Sequence, residues 1–180
     1  MGKSIKLIII LTIISLLSGG VLALAYSFTS PKMEEVALLN QQKSIFEVLS
    51  GIKSYREFQN NKNMLIFEGL DDNGNVMGLA YVAEGAGFQG KIRLMVGLDL
   101  ALKQITGYKV LEHQETPGLG ARIDEDGFKK QFFQKFWTDA FKLKEDIIPI
   151  TGATISSKVV TDLMKKSVDE VIKIYGGDTQ

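Results

Sequence analysis

MLIFEGLDDNGNVMGLAYVA, residues 64–83, sets two short apolar-rich runs, 64–69 and 76–83, on either side of Asp71-Asp72-Asn73-Gly74-Asn75. An Asn-Gly pair favours the positive φ angles of a tight turn, so the stretch reads as a β-hairpin. The same texture recurs downstream, where runs 91–98 and 105–111 flank a short break at 99–103. Four strands in an antiparallel meander are expected. Upstream, Pro31 suits the first turn of a helix, and Val36, Leu39, Ile45, Leu49 and Ile52 recur at roughly helical spacing, which predicts a helical stem over residues 32–49. Downstream, Phe128, Phe132, Phe133, Phe136, Trp137 and Ala140 fall on one helical face and read as core, Trp137 with a lesser claim to stacking on a ring ligand. A last helix is capped by Ser156 or Ser157, buries Val160, Leu163, Met164, Val168, Val171 and Ile172, and ends at Gly176. Strands followed by helices, with no regular β-α-β alternation, indicate an α+β fold.

The N-terminus carries LIIILTIISLLSGGVLALAY, residues 7–26, with no charge. That is about the 20 apolar residues a membrane-crossing helix needs. Lys3 and Lys6 precede it, whereas Lys32 is followed at once by Glu34 and Glu35, a bias that puts the N-terminus on the cytoplasmic side of the cytoplasmic membrane. Ala23-Leu24-Ala25 also matches the small-x-small pattern of a signal-peptide cleavage site. A retained, single-pass, lipid-embedded anchor is the favoured reading, and both readings send the rest of the chain outside. The expected organisation is a cytoplasmic start and anchor over 1–31, a helical stem over 32–60 and an extracytoplasmic domain over 61–180.

Composition removes several function classes. Lys+Arg and Asp+Glu both number 21 in 180 residues, so no basic excess steers the chain onto nucleic acid. Cysteine is absent, which excludes disulfides, thiolate metal sites, cysteine-held iron–sulfur clusters and a cysteine nucleophile on this chain. The single histidine, His113, makes a poor transition-metal site with Glu115 and reads as a hydrogen-bonded loop residue; no metal is expected. A lone histidine without a nucleophile elbow leaves no hydrolytic triad either. Redox chemistry on such a chain needs an organic cofactor.

Thr151-Gly152-Ala153-Thr154-Ile155-Ser156-Ser157 opens the last helix. Gly152 and Ala153 let a ligand approach the backbone, the helix start presents unpaired N–H groups, and four hydroxyls can donate to phosphate oxygens. A plain loop-to-helix junction has the same spacing.

Three motifs, in order, carry a resemblance. TGATISS resembles the (S/T)GAT(x)(S/T) flavinylation motif of the G subunits of Rnf ion-translocating electron-transport complexes and of the related C subunit of sodium-pumping NADH:quinone reductase. His113-Gln114-Glu115-Thr116-Pro117-Gly118-Leu119-Gly120 is similar to the H-x-E-T-P-G-L-G loop of the same family, and Gly85-Ala86-Gly87-Phe88-Gln89-Gly90 resembles its glycine-rich turn. The resemblance covers essentially the whole chain. It implies FMN joined by a phosphoester bond to Thr154 by a separate flavin transferase, with Thr151, Gly152, Ala153, Ser156 and Ser157 around the phosphate. It implies that Glu115, Thr116, Gly118 and Leu119 line the flavin and that Phe88 packs on it. It also implies an electron carrier working with other membrane and peripheral subunits to couple ferredoxin:NAD electron transfer to Na⁺ or H⁺ movement. One position departs from the pattern: the residue three before Thr151, usually acidic, is Ile148, with Asp146 two residues earlier. A free-standing tethered FMN carrier for another reductase, and a flavin-free tethered binding module, are the competing expectations.

Overall fold

The computed structural model describes residues 2–59 and 64–178. By compactness the chain divides into two units, Met1–Asn40 and Gln41–Gln180.

The first unit lies within a single helix, α1 (Gly2–Val48), which is long and apolar enough to cross a membrane. Its apolar side chains are exposed from Ile5 to Phe28, as expected of a helix hydrophobic all round whose partner is lipid. The expected break at residue 32 is absent, because α1 runs through Pro31. Proline deprives the helix of one N–H and crowds the preceding turn, a local loss that the helical sequence on both sides tolerates.

The second unit is built on a five-stranded antiparallel sheet in sequential order: β1 (Ser54–Phe58), β2 (Ile66–Leu70), β3 (Val76–Ala86), β4 (Lys91–Asp99) and β5 (Gln104–His113). The α+β expectation holds. The Asn73-Gly74 turn forms with Gly74 at φ 81°, and the Asp71 carboxylate accepts the N–H groups of Asn73 and Asn75 at 2.8 Å. β1 lies outside the expected meander and occupies part of the segment read as stem. It is an edge strand with exposed Arg56 and Glu57, and its aromatic side chains Tyr55 and Phe58 pack against opposite faces of the sheet, so it carries no period-2 stripe.

Alternation along the strands gives the sheet two apolar faces. One holds Ile66, Leu79, Tyr81, Leu94, Val96 and Leu98 and is covered by α3 (Thr154–Asp178), which buries Val160, Met164, Val168, Val171 and Ile174. The other holds Phe67, Ala80, Val82 and Met95 under Ile45, Val48, Leu49 and Ile52. The last turns of α1 are therefore part of the domain. They approach closely because Gly69 and Gly97 lack a Cβ, which would collide with the Ile52 and Leu49 side chains and with Thr106 and the Val48 carbonyl respectively. The Thr106 hydroxyl donates to that Val48 carbonyl and so satisfies an acceptor at the helix end.

The aromatic segment departs from its expected helix. Only α2 (Asp126–Lys129) is α-helical, and Gln134 sits at φ 61°. The chain turns there because the edge of β5 claims its backbone: Gln134 N–H donates to the Ile105 carbonyl and Ile105 N–H to the Lys135 carbonyl, both at 2.8 Å. Phe128 and Phe132 reach the core, whereas Phe133 and Phe136 remain exposed. Trp137 packs against the main core.

Candidate functional site

The β3–β4 turn, the end of β5 and the start of α3 meet at one end of the sheet. The pairs Ala86–Lys91 and Ile92–His113 put the glycine-rich turn 87–90 beside the chain leaving β5. Between these segments lies a cleft of about 330 Å³ lined by Phe88, Glu115, Thr116, Leu119, Gly120, Gly152, Ala153, Thr154, Ile155 and Ser156. Small-molecule sites run from about 300 to 1,000 Å³. Phe88, Leu119 and Ile155 are exposed at its rim.

A buried carboxylate joins the three segments. Glu115, 4% exposed, accepts the Phe88 and Gln89 N–H groups on Oε1 at 2.7 and 3.2 Å, and the Ser156 hydroxyl on Oε2 at 2.5 Å. The Thr116 hydroxyl donates to Gln89 Oε1 at 2.7 Å, and His113 Nδ1 accepts the Glu115 N–H at 3.2 Å. His113 is hydrogen-bonded as expected, but as the last residue of β5, paired with Ile92, and not in the loop.

The start of α3 differs from the expected capped junction. The helix begins at Thr154, so Ser156 and Ser157 lie inside its first turn. The residue before it is Ala153, which has no side-chain oxygen to accept the first N–H groups. Ser157, fully buried, accepts the Ile150 N–H and donates to the Ala153 carbonyl, both at 2.9 Å. Its hydroxyl fastens the junction from the core side and does not reach the cleft. Thr154 is exposed at the cleft, Gly152 turns the chain at φ 80°, and Thr151 is exposed just outside the lining. Gly118, at φ 75°, shapes the turn and also lies outside the lining. Gly120 and Ile155, within the HQETPGLG and TGATISS segments, also line the cleft, although neither was expected as a site residue.

The loop ahead of α3 is held by Asp146. Burial raises this carboxyl, but the Lys142 N–H, the Lys135 ammonium and the Phe141 N–H outweigh burial and hold it below the usual carboxylate range. Ile148, 74% exposed, is pinned through its backbone, its N–H donating to Gln131 Oε1 at 2.7 Å and its carbonyl accepting from Gln131 Nε2 at 3.1 Å.

Residues 87–169, which contain every segment of this cleft, match the FMN-binding domain family. The chain is 32% identical over 175 residues to the G subunit of the ion-translocating oxidoreductase complex of Methanosarcina acetivorans, covering 92% of this chain and 93% of the relative. It is 33% identical over 175 residues to the G subunit of the proton-translocating ferredoxin:NAD(+) oxidoreductase complex of Clostridium ljungdahlii, covering 93% and 91%. The chain belongs to the G-subunit family of ion-translocating oxidoreductase complexes. The fold extends to the crystal structures of NqrC from Shewanella oneidensis (TM-score 0.50, 20% identity, 68% of each chain) and of its counterpart in the Na(+)-translocating NADH-quinone reductase of Parabacteroides distasonis (TM-score 0.51, 24%, 61% of each). The chain's α1 is long and apolar enough to cross a membrane.

The cleft suits an FMN. It combines the first turn of a helix without a side-chain cap, where N–H groups and the helix dipole favour an anion, with apolar rim side chains for a ring. Gly120 and Gly152 keep the wall low between them.

Proposed function

We propose that this chain is the electron-carrying flavoprotein member of a membrane complex that couples ferredoxin:NAD electron transfer to Na⁺ or H⁺ translocation, with FMN phosphoester-linked to Thr154. The observation that carries the reading is the position of Thr154: an exposed residue at the very start of α3, at the mouth of the cleft, after an alanine that cannot cap the helix.

Bound FMN supplies the electron-carrying chemistry. The protein supplies attachment, orientation and shelter. For attachment, the Thr154 oxygen would bond to the flavin-bearing phosphorus of a flavin phosphoanhydride held by a flavin transferase, the phosphoanhydride P–O bond breaking to release its other phosphate half and the hydroxyl proton passing to a base of the transferase. The first-turn N–H groups of Thr154, Ile155 and Ser156 would offset the negative charge that the linked phosphate keeps. Phe88, Leu119 and Ile155 offer apolar surface to the ring, and Thr116 fixes the glycine-rich turn through Gln89. Residues 7–26 cross the cytoplasmic membrane with Lys3 and Lys6 inside, which leaves the FMN domain on the extracytoplasmic side. The membrane segment is uncharged, so the transported ion uses other subunits of the complex.

The test is intact mass and fragmentation of the chain made with and without an active transferase. A phosphoester-linked FMN on Thr154, absent from Thr154→Ala, is expected. An unmodified mass beside a working transferase control would sink the covalent reading and favour the flavin-free tethered module.

A further inference from the structure

Glu115 lines the cleft, but both of its oxygens are committed to protein donors. Oε1 takes the N–H groups of Phe88 and Gln89 on the glycine-rich turn, and Oε2 takes the hydroxyl of Ser156 in the first turn of α3. The surroundings are shaped around this carboxylate: a Cβ at Gly87 would collide with Oε1, and one at Gly120 with Oε2 and the Ser156 hydroxyl. All three donors are neutral, and among the described ion pairs none includes Glu115. A buried carboxylate satisfied in this way costs desolvation and gains through charge-assisted hydrogen bonds, which are shorter and stronger than neutral ones.

We propose that Glu115 is the positioning residue of the cleft: it staples the turn carrying Phe88 to the first turn of α3 and thereby sets the spacing between the ring-facing rim and the attachment residue Thr154. The effect of Glu115 on a bound flavin rests on the FMN reading above; the staple itself does not. Without it the turn 87–90 loses its tie to α3, and a flavin anchored at Thr154 loses a fixed orientation against Phe88. Glutamine preserves the tie, because its oxygen accepts the two N–H groups and its amide donates to a reoriented Ser156 hydroxyl.

The experiment compares wild type, Glu115→Ala and Glu115→Gln as full chains made with the transferase. Amide hydrogen exchange of the unloaded proteins reads the staple. Phe88 and Gln89 should exchange at least tenfold faster in E115A, with β4 amides unchanged and E115Q close to wild type; equal rates at Phe88 and Gln89 in wild type and E115A overturn the proposal. The visible circular dichroism of the loaded proteins reads the flavin. A fall of twofold or more in E115A and recovery in E115Q are expected, and a wild-type signal in E115A refutes a positioning role. No adduct on wild type, with exchange behaving as expected, breaks the covalent-flavin reading alone. Should E115A not fold, Gly120→Ala displaces the carboxylate without deleting it. Phe88 and Gln89 should again exchange faster, and unchanged exchange there counts against the staple.

Discussion

The two ends of α3 are each held by a buried glutamate, and the two are held differently. At the C-terminal end Glu68 accepts the Tyr175 hydroxyl at 2.8 Å and the Arg56 guanidinium, so its charge is neutralised by a cation on the adjacent strand β1. At the N-terminal end Glu115 has backbone N–H groups and one serine hydroxyl for partners. The Glu68 cluster ties β1, β2 and α3 together away from the cleft. The Glu115 cluster ties loops around an open cleft, where the first helical turn still has N–H groups to offer. A buried carboxylate therefore says little about function by itself; its partners and the space beside it tell a structural tie from a site.

The comparison breaks most sharply at Thr154. Thr154→Ala should remove the FMN adduct completely, read by intact mass, while leaving the unfolding midpoint near that of unmodified wild type, because the side chain is exposed. At the other end the order reverses. Glu68→Ala should cost about 1–3 kcal/mol in denaturant unfolding by removing the buried acceptor of the Tyr175 hydroxyl, with the adduct unchanged. A loss of flavin in E68A would show that the two ends are coupled.

Tyr175→Phe should cost about 1 kcal/mol. Burial, and then Glu68, push the Tyr175 hydroxyl up to about 12. A folded value above the unfolded one of about 10 means that the stabilisation is complete below about pH 10 and is lost as pH rises through about 12. The gap between wild type and Y175F in unfolding free energy should shrink across that window.

An effect of similar size is expected at Asp146, in the loop that leads into α3. Asp146→Asn should cost about 1 kcal/mol at neutral pH. The carboxyl is held low in the folded state, so its contribution is present above the unfolded value of about 3.9 and is lost as pH falls through the lower folded value. The stability difference should close on acidification below pH ~4, and a difference that persists there would exclude the ionised carboxylate as its source.

Legibility in the sequence followed the range of the interactions. Asn73-Gly74 announced its turn because the cause is local, and α3 showed its buried face because Val160, Met164, Val168 and Val171 share one helical stripe. β1 was hidden because an edge strand exposes charged residues, and the helix expected over 126–140 failed because the edge of β5 took the backbone at Gln134 and Lys135. Residues of all three motifs line the one cleft. Their residues separate by contact: Thr154, Ser156, Thr116, Leu119 and Phe88 line it, whereas Ser157 is engaged in the core.

By itself the sequence determined an apolar N-terminal helix, an antiparallel meander, a closing amphipathic helix and a small-residue segment at its start. Each depends on residues within a few positions of one another, where backbone preference and side-chain period decide the outcome. Only the tertiary structure decided that the end of α1 covers one face of the sheet, that α3 begins at Thr154 without a side-chain cap, and that Glu115 binds partners 26, 27 and 41 residues away. Those contacts rest on shape and on satisfying buried polar groups, and no local pattern in the chain encodes which distant donor a carboxylate will meet.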